Sequence, residues 1–165
     1  MLFRKIYIIQ IYIKINAKIR QLVLLYEKKV YIHKNSFFTA SNINYDNIPS
    51  DKLRDAHVIN QKHDTIFELS SKLENFDLIF KNMKLAIKDF IKFYQDNINN
   101  IHGNIYGVLG FDFIVDNNKN VQIIEINHRS NYGHPSKVSL DCDVAFFHDM
   151  ILLLLNNECK NLILV

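Results

Sequence analysis

The chain has 165 residues and a net charge of +3, with 48% hydrophobic and 22% charged residues. This length suits one domain over residues 1–165, and the composition is that of an ordinary globular protein with a substantial core. The charge is small and no basic stripe is interleaved with aromatic residues, so we expect no nucleic-acid partner. Cys142 and Cys159 are too few for a disulfide framework or a zinc site, and they fit buried thiols in a reducing cytosol.

The first notable segment is an apolar run at 6–13, preceded by two basic residues. The run is short, Lys14 ends it and no small-residue cleavage site follows, so it does not match a signal peptide. It also falls far short of the ~20 apolar residues that span a membrane. We interpret it as a buried strand and expect a soluble, cytoplasmic protein without a membrane partner.

The next elements predicted are two strands, at 20–26 and 30–33, joined by a polar turn at 27–29. From 39 to 72 the pattern weakens, because Asn, Asp and Ser are dense and Pro49 interrupts the chain. That composition predicts a long loop with room only for short helical turns.

An amphipathic helix is predicted at 76–98, because apolar residues recur there at steps of three and four. Four lysines, at positions 81, 84, 88 and 92, and an aspartate at 96 lie off this stripe, so we interpret the apolar stripe as a core-packing face. The stripe comprises Phe76, Ile79, Phe80, Met83, Ile87, Phe90, Ile91 and Tyr94.

A β-hairpin is predicted at 108–127. Two stretches rich in β-branched and aromatic residues flank the four-residue turn Asn-Asn-Lys-Asn. With Asp116 and Val121 as the first cross-strand pair, Asp112 lies opposite Glu125. Strict alternation of side chains places Ile123 on the same face as Glu125.

The opposed acids of the hairpin suggest a cation site. Two carboxylates directly opposite each other repel, and a cation between them removes the repulsion. In the same register Gly110 lies opposite Asn127. Asn127 adds an amide oxygen, and the glycine leaves room for a bulky ligand. Asp112, Glu125 and Asn127 then form an oxygen site suited to Mg²⁺. The spacing fits an exposed edge hairpin with solvated acids equally well, and a bulge would separate the acids.

A polar loop at 128–137 follows, and a last helix begins after it with Ser139 or Asp141 as the predicted cap. The predicted apolar face of this helix comprises Val144, Phe147, Ile151 and Leu154. Together the elements predict an α+β fold, in which two long helices back a mostly antiparallel sheet.

The hairpin motif, Gly-Phe-Asp-Phe-Ile-Val-Asp followed by Ile-Ile-Glu-Ile-Asn, resembles the metal-binding end of ATP-grasp ligases. More narrowly, it resembles the tubulin–tyrosine ligase-like family. The resemblance implies the fold of a C-terminal ATP-grasp subdomain, with ATP and Mg²⁺ as cofactors. It assigns Asp112, Glu125 and Asn127 as the residues that hold Mg²⁺ against the phosphates.

Two further segments are similar to parts of the same family. Gln10, Ile11, Tyr12 and Ile13 resemble the hinge strand that contacts adenine, although plain sheet core explains them as well. Lys-Ile-Arg resembles the family's Asp-Ile-Arg, which implies that Arg20 is a catalytic residue facing phosphate or the acceptor carboxylate. An exposed charge at a strand end is the alternative for Arg20. The aspartate of that motif is replaced by Lys18.

A third segment, His-Val-Ile-Asn, resembles the family's His-Leu-Thr-Asn. It implies that His57 lies beside the nucleotide and that Asn60 approaches Mg²⁺ or phosphate. A hydrogen-bonded polar histidine and a turn asparagine are the alternatives. Ile59 stands where the family has threonine, and Thr39 stands where it has a further arginine.

The reaction implied by the resemblance is ATP-dependent addition of a free amino acid to a protein or peptide carboxylate, such as a tubulin tail, through an acyl phosphate. The resemblance covers the later half of an ATP-grasp unit, so we expect a missing N-terminal segment or a partner chain to complete the ATP site. Two alternatives stay open. One is another ATP-grasp ligase with a different acceptor, and the other is a truncated, non-catalytic ATP-grasp binding module.

Overall fold

The structure is a computed structural model, and it describes residues 17–41, 65–93, 106–116, 118–128, 136–156 and 159–165. Within these ranges it contains one mostly antiparallel sheet and two long α-helices, which confirms the predicted α+β fold. The strand predicted at 6–13 lies outside the described residues. No helix among those described is long and apolar enough to cross a membrane.

The elements in chain order are β1 Ala17–Tyr26, β2 Lys29–His33, β3 Phe37–Ser41, β4 Thr65–Leu69, α1 Phe76–Phe93, β5 Tyr106–Val115, β6 Val121–Asn127, α2 Lys137–Asn156 and β7 Leu162–Leu164. A single 3₁₀ turn, Ser70–Lys72, follows β4.

The sheet is built around β1. One edge of β1 pairs with β5 along its whole length, from Ala17 opposite Val115 to Tyr26 opposite Tyr106. The other edge pairs first with β3 and then with β2. The neighbours of these strands are β4 beside β3, β7 beside β2 and β6 beside β5. The strand that pairs with this edge of β1 therefore changes halfway along β1, from β3 to β2.

Gln21 bridges the point where the partner of β1 changes. The side chain is fully buried, and its Nε2 donates hydrogen bonds to the carbonyl oxygens of Leu22 at 3.0 Å and His33 at 2.8 Å. Backbone carbonyls at a break in a strand ladder need such donors, because a buried polar group without a partner is costly. A polar residue in the middle of an apolar strand thus keeps the two halves of the edge together.

The main core lies between α1 and one face of the sheet. Ile79, Met83 and Ile87 of the helix are fully or almost fully buried and belong to one cluster with Phe111 and Phe113 of β5. This confirms the helical stripe predicted from the three- and four-residue spacing. The structure describes α1 to Phe93, and the predicted extension to 98 lies outside the described residues.

The opposite face of the sheet packs against α2. Leu22 and Leu24 of β1 pack there against Phe146, Met150 and Leu153. The apolar face predicted for this helix is wrong at two of its four positions, since 59% of Val144 and 50% of Ile151 are exposed. Phe147 and Leu154 are half-buried at the edge of the contact. The helix is apolar on most sides, so spacing alone does not define which side is buried.

The start of α2 also differs from the prediction. The helix begins at Lys137, and Ser136 caps it, because the Ser136 hydroxyl accepts a hydrogen bond from the backbone N–H of Ser139 at 3.2 Å. The predicted caps, Ser139 and Asp141, therefore lie inside the first turns. Ser139 returns the contact by donating from its hydroxyl to the Ser136 carbonyl at 2.8 Å.

The loop predicted from 39 to 72 is wrong at both of its ends. The end of β3 occupies its start, and β4 occupies 65–69, where Phe38 pairs with Glu68 and Thr39 pairs with Phe67. These strands are short and far apart in sequence, so the pattern of each one alone is weak. Long-range pairing, which local composition does not contain, stabilises them.

A buried polar network joins α2 to β2 and to the segment before β7. Asp149 Oδ2 lies 3.0 Å from His33 Nε2 and accepts a hydrogen bond from Asn161 Nδ2 at 2.8 Å. The other ring nitrogen of His33 accepts from the backbone N–H of Asn35 at 3.2 Å. Nδ1 also lies 3.1 Å from the Asn35 carbonyl oxygen, so both ring nitrogens of the fully buried imidazole have polar partners.

We expect the variant Asp149→Asn to lose less stability in acid than wild type. Burial raises the pKa of Asp149, but hydrogen bonds from His33, Asn161 and His148 outweigh that effect and leave the pKa below its ordinary value. Such a carboxyl group stabilises the fold above its unfolded pKa of about 3.9, and this contribution is lost as the pH falls through the folded pKa. Urea unfolding from about pH 5 to about pH 3 measures both slopes. Equal slopes would show that this network does not respond to acid.

Candidate metal and phosphate site

Three adjacent strands bring three charged residues into one row on the sheet face that carries α2. Arg20 of β1 pairs with Asp112 of β5, and Asp112 pairs with Glu125 of β6. Cross-strand partners lie on the same face, so the three side chains are neighbours. We call Arg20, Asp112 and Glu125 the charged row.

A second row lies beside the charged row on the same face. Leu22, Gly110 and Asn127 pair across the same three strands. Gly110, in the middle of this row, has no side chain that could fill the space beside Asp112 and Asn127. The register predicted for the hairpin, with Asp112 opposite Glu125 and Gly110 opposite Asn127, is therefore confirmed.

The hairpin reaches this register by a different path from the one predicted. The first pair is Val115 with Val121, one residue earlier than predicted, and a β-bulge follows in which Ile124 has no partner. The bulge shifts the register by one residue and so restores the pairing of Asp112 with Glu125. The prediction that a bulge would separate these acids is wrong, because the shift compensates for the longer turn.

The bulge also divides the side chains of β6 between the two faces. Ile123 pairs with Phe113 and packs in the main core, whereas Glu125 lies on the opposite face. The prediction that Ile123 shares a face with Glu125 is therefore wrong. Ile124, the bulged residue, is 40% exposed. An extra residue in one strand breaks the strict alternation on which that prediction depended.

The turn of the hairpin is held by Asp116. Its carboxylate accepts hydrogen bonds from the backbone N–H of Asn120 at 2.8 Å and from the side-chain amide of Asn120 at 2.9 Å. The contact with the Asn120 amide side chain lowers the pKa of Asp116. Lys119 has a positive φ of 64°, the left-handed conformation that a tight turn requires. The turn thus fixes the hairpin end that determines which residues face each other.

Asp112 is the most enclosed member of the charged row. Its side chain is fully buried, and Arg20 contacts both of its carboxylate oxygens, through Nε to Oδ1 and through Nη2 to Oδ2 at 3.0 Å. Lys18 Nζ lies 2.9 Å from Oδ2 as well. About a quarter of each cationic side chain is exposed, 24% of Arg20 and 25% of Lys18. One buried carboxylate thus orders two cations at the surface of the sheet.

The other two predicted metal ligands are more accessible. Glu125 is exposed on the edge strand and has no ion-pair partner in the part of the chain that the structure describes, and Asn127 is half-buried. Their oxygens can therefore meet a ligand approaching from solvent. Glu125 and Asp112 differ in this respect, because the first is open and the second is already paired.

The donor set can be tested against the needs of Mg²⁺. This ion is usually held by one or two carboxylates together with waters and substrate phosphates. Asp112 opposite Glu125, with Asn127 on the same face, supplies two carboxylates and an amide oxygen, so the chemistry fits. No group of three or more His, Cys, Asp and Glu side chains that could hold a metal lies within the described ranges. The residues therefore suit a metal that arrives with phosphate oxygens, not a closed protein site.

Lys18 is the member of this site that the sequence reasoning missed. The sequence motif marks it only as a replacement for an aspartate and does not predict its contact with Asp112. The strand predicted from the sequence begins at residue 20, whereas β1 begins at Ala17, and only this longer strand places residues 18 and 20 on one face. Thr39 stands at the position where the family has a further arginine. It pairs with Lys18, is almost fully buried and, being uncharged, adds no cation to the site.

The remaining predicted site residues lie outside the described residues. They are Gln10, Ile11, Tyr12, Ile13, His57 and Asn60. Their predicted contacts with nucleotide and metal stay predictions. Of the predicted site residues that the structure describes, it brings together Arg20, Asp112, Glu125 and Asn127 on one face of the sheet.

The sequence was compared with known protein families and with curated proteins. A family model described as the tubulin-tyrosine ligase family matches residues 7–158, which include the charged row and both helices. A search among curated proteins found no match. The match extends over far more than half of the 165 residues. The chain therefore belongs to the tubulin-tyrosine ligase family, whose members are in general ATP-dependent carboxylate–amine ligases of the ATP-grasp superfamily.

Proposed function

We propose that this chain takes part in ATP- and Mg²⁺-dependent ligation of a free amino acid to a carboxylate on a protein or peptide. The observation that carries the proposal is the charged row, in which a cation, a buried carboxylate and an exposed carboxylate lie side by side on three strands. A tubulin tail is the acceptor that the family's description suggests. The cytoplasm is the compartment that we propose for the reaction.

Arg20 is proposed to bind phosphate or the acceptor carboxylate. The guanidinium group has five N–H donors, and the two contacts with Asp112 use one on Nε and one on Nη2. Three donors are left for a ligand, and the side chain is partly exposed. Asp112 holds the plane of the guanidinium in place, so Arg20 can meet an anion in a fixed orientation with little loss of entropy.

Asp112, Glu125 and Asn127 are proposed to hold Mg²⁺ beside the phosphates. When bound, the metal would neutralise the negative charge that builds up on the transferred phosphoryl group. Asn127 contributes a neutral oxygen, and Glu125 contributes an anionic one from the open edge of the sheet. The side chains therefore act by position and charge, which is the main source of catalysis in phosphoryl transfer.

The proposed reaction requires no nucleophile from the protein. ATP phosphorylates the acceptor carboxylate, and the amine of the incoming amino acid then displaces phosphate from the acyl phosphate. Cys142 fits this scheme, because burial raises its pKa to about 11 and the thiol is therefore protonated at neutral pH. We propose that specificity for the acceptor comes from contacts outside the charged row.

A second candidate function is a non-catalytic ATP-grasp binding module. The observation that favours it is the contact of Lys18 with Asp112, because the formal charges of Lys18, Arg20, Asp112 and Glu125 cancel without any metal. A module of this kind would bind nucleotide without transferring phosphate. Another ATP-grasp ligase with a different acceptor would share the charged row, so the row does not distinguish between the two ligases.

The test of the proposed function is the mutual dependence of Mg²⁺ and nucleotide. A non-hydrolysable ATP analogue is titrated into the protein by calorimetry with Mg²⁺ and with chelator. We expect binding at least about fivefold tighter with Mg²⁺, because the metal joins the carboxylates to the phosphates. Equal affinity under both conditions would contradict the metal site. Coupled binding of the analogue, with no ADP formed from ATP in the presence of amino acids and acceptor peptide, would favour the binding module.

A further inference from the structure

Both oxygens of Asp112 are already engaged by cations. Arg20 contacts Oδ1 and Oδ2, and Lys18 contacts Oδ2 at 2.9 Å. The carboxylate is fully buried, and both of its oxygens already face a cation, so a metal must compete with Arg20 or Lys18 for them. A divalent cation can reach Asp112 only if one of them moves away.

The two cations differ in how easily they can leave. Arg20 binds through two N–H groups in the plane of its guanidinium, a bidentate arrangement that is strong and fixed in direction. Lys18 makes one contact with Asp112, at the end of a flexible stem of four carbons that is one quarter exposed. Its ammonium group is easily hydrated once released. Lys18 is therefore the cation that gives way.

We propose that Lys18 is an internal competitor of Mg²⁺ at Asp112, so that the metal enters this site only together with a phosphate-bearing ligand. This inference rests on the proposed metal site and adds a control to it. The phosphates provide a new anionic partner for the released Lys18 ammonium group, which Mg²⁺ alone does not provide. The metal and the nucleotide thus bind as one unit, and free Mg²⁺ leaves the ion pair intact.

The charges of the site lead to the same conclusion. Two cations and two carboxylates cancel formally around Asp112, so a divalent ion meets no net attraction there. Replacing Lys18 by a neutral side chain leaves a net negative charge and frees Oδ2. At distances of about 4 Å and in a partly buried site, one unit charge alters cation binding by well over an order of magnitude.

The test uses Mn²⁺ as a spectroscopic substitute for Mg²⁺ and follows free Mn²⁺ by electron paramagnetic resonance. Without nucleotide, we expect Lys18→Met to bind Mn²⁺ at least about tenfold more tightly than wild type. The control is Lys29→Met, which removes the same charge from an exposed position at the start of β2, opposite Tyr26 at the far end of β1, and should match wild type. The double variant Lys18→Met with Asp112→Asn should lose the added affinity.

Each other outcome overturns the proposal in a distinguishable way. Equal Mn²⁺ affinity of Lys18→Met and wild type without nucleotide, with both binding Mn²⁺ in the presence of the ATP analogue, would overturn the role of Lys18 and leave the metal site standing. An increase in Mn²⁺ affinity for Lys29→Met equal to that for Lys18→Met would show that the effect comes from the net charge of the protein and not from the contact of Lys18 with Asp112. Failure of every protein to bind Mn²⁺, even with the analogue, would overturn the proposed function and this inference together.

Discussion

Arg20→Met is expected to lower the free energy of unfolding by about 3–5 kcal/mol. The reason is the burial of Asp112, whose side chain has no exposed surface and makes two of its three contacts to cations through Arg20. Without Arg20 the Asp112 carboxylate keeps only its contact with Lys18, which is made through Oδ2. No other donor among the described residues contacts Oδ1. An incompletely compensated buried charge is among the most destabilising changes in a protein.

The matching changes show whether this effect comes from Asp112. Replacing Asp112 by Asn should be milder, because Arg20 and Lys18 are both partly exposed and can turn to water. The double variant Arg20→Met with Asp112→Leu should recover much of the loss, since no buried charge remains. As a surface control, Lys72→Met removes an exposed ion pair with Glu68 and should cost about 0–1 kcal/mol. Denaturant unfolding measures all four, and equal losses for Arg20→Met and Lys72→Met would contradict the account.

Phe111→Ala is expected to cost about 3–5 kcal/mol by removing a central part of the main core. The ring is fully buried, meets Phe90 of α1 edge to face at 5.6 Å and stacks on Phe113 at 6.0 Å. It is the residue directly before Asp112, so its packing fixes the strand that carries the buried carboxylate. The loss combines the transfer of the ring with the cavity that remains.

A control for this core variant lies on the same helix that Phe111 contacts. Leu85 of α1 is 51% exposed, and Leu85→Ala should change stability by no more than about 0.5 kcal/mol. Both variants are measured by urea unfolding, and the m-value shows whether two-state behaviour is kept. If Phe111→Ala cost about as little as the control, the contact between α1 and β5 would not be the main stabilising contact of the fold.

The position of the acids in the hairpin could be predicted because alternation is a local property of strands. The count from Asp116 and Val121 gave the correct partner for Asp112, although the first pair was wrong by one residue. The bulge at Ile124 corrected the count, and nothing in the local sequence distinguishes a bulge from a regular strand at that point. The predicted pairing of Asp112 with Glu125 is therefore correct because two differences cancel: the first pair lies one residue earlier than predicted, and the bulge shifts the register by one residue in the opposite direction.

Other parts of the structure depend on partners that are distant in sequence. β3 and β4 are stabilised by each other and by β1, and each is only five residues long, so composition alone suggests a loop. The buried face of α2 is determined by Leu22 and Leu24 of the sheet, because the helix is apolar on several sides. The ion pair of Lys18 depends on the pairing of β1 with β5, which a local pattern does not contain.

The charged row is the central claim, and Glu125 is the residue that tests it most directly. Glu125 is exposed and lies opposite Asp112, whose charge Arg20 and Lys18 already balance, so Glu125→Gln should leave the melting temperature without ligand nearly unchanged. With Mg²⁺ and ATP the variant should gain less protection than wild type, because an anionic metal ligand is lost. Gln122→Ala, on the same exposed edge strand, should keep full protection.

Thermal melting of wild type, Glu125→Gln and Gln122→Ala, each with and without Mg²⁺-ATP, is the decisive measurement. The account predicts equal melting temperatures without ligand and a reduced ligand-induced shift for Glu125→Gln alone. Full protection of Glu125→Gln by Mg²⁺-ATP would contradict a metal site at the charged row. Melting of ligand-free Glu125→Gln well below wild type would show that Glu125 is held by a structural contact and does not face a metal.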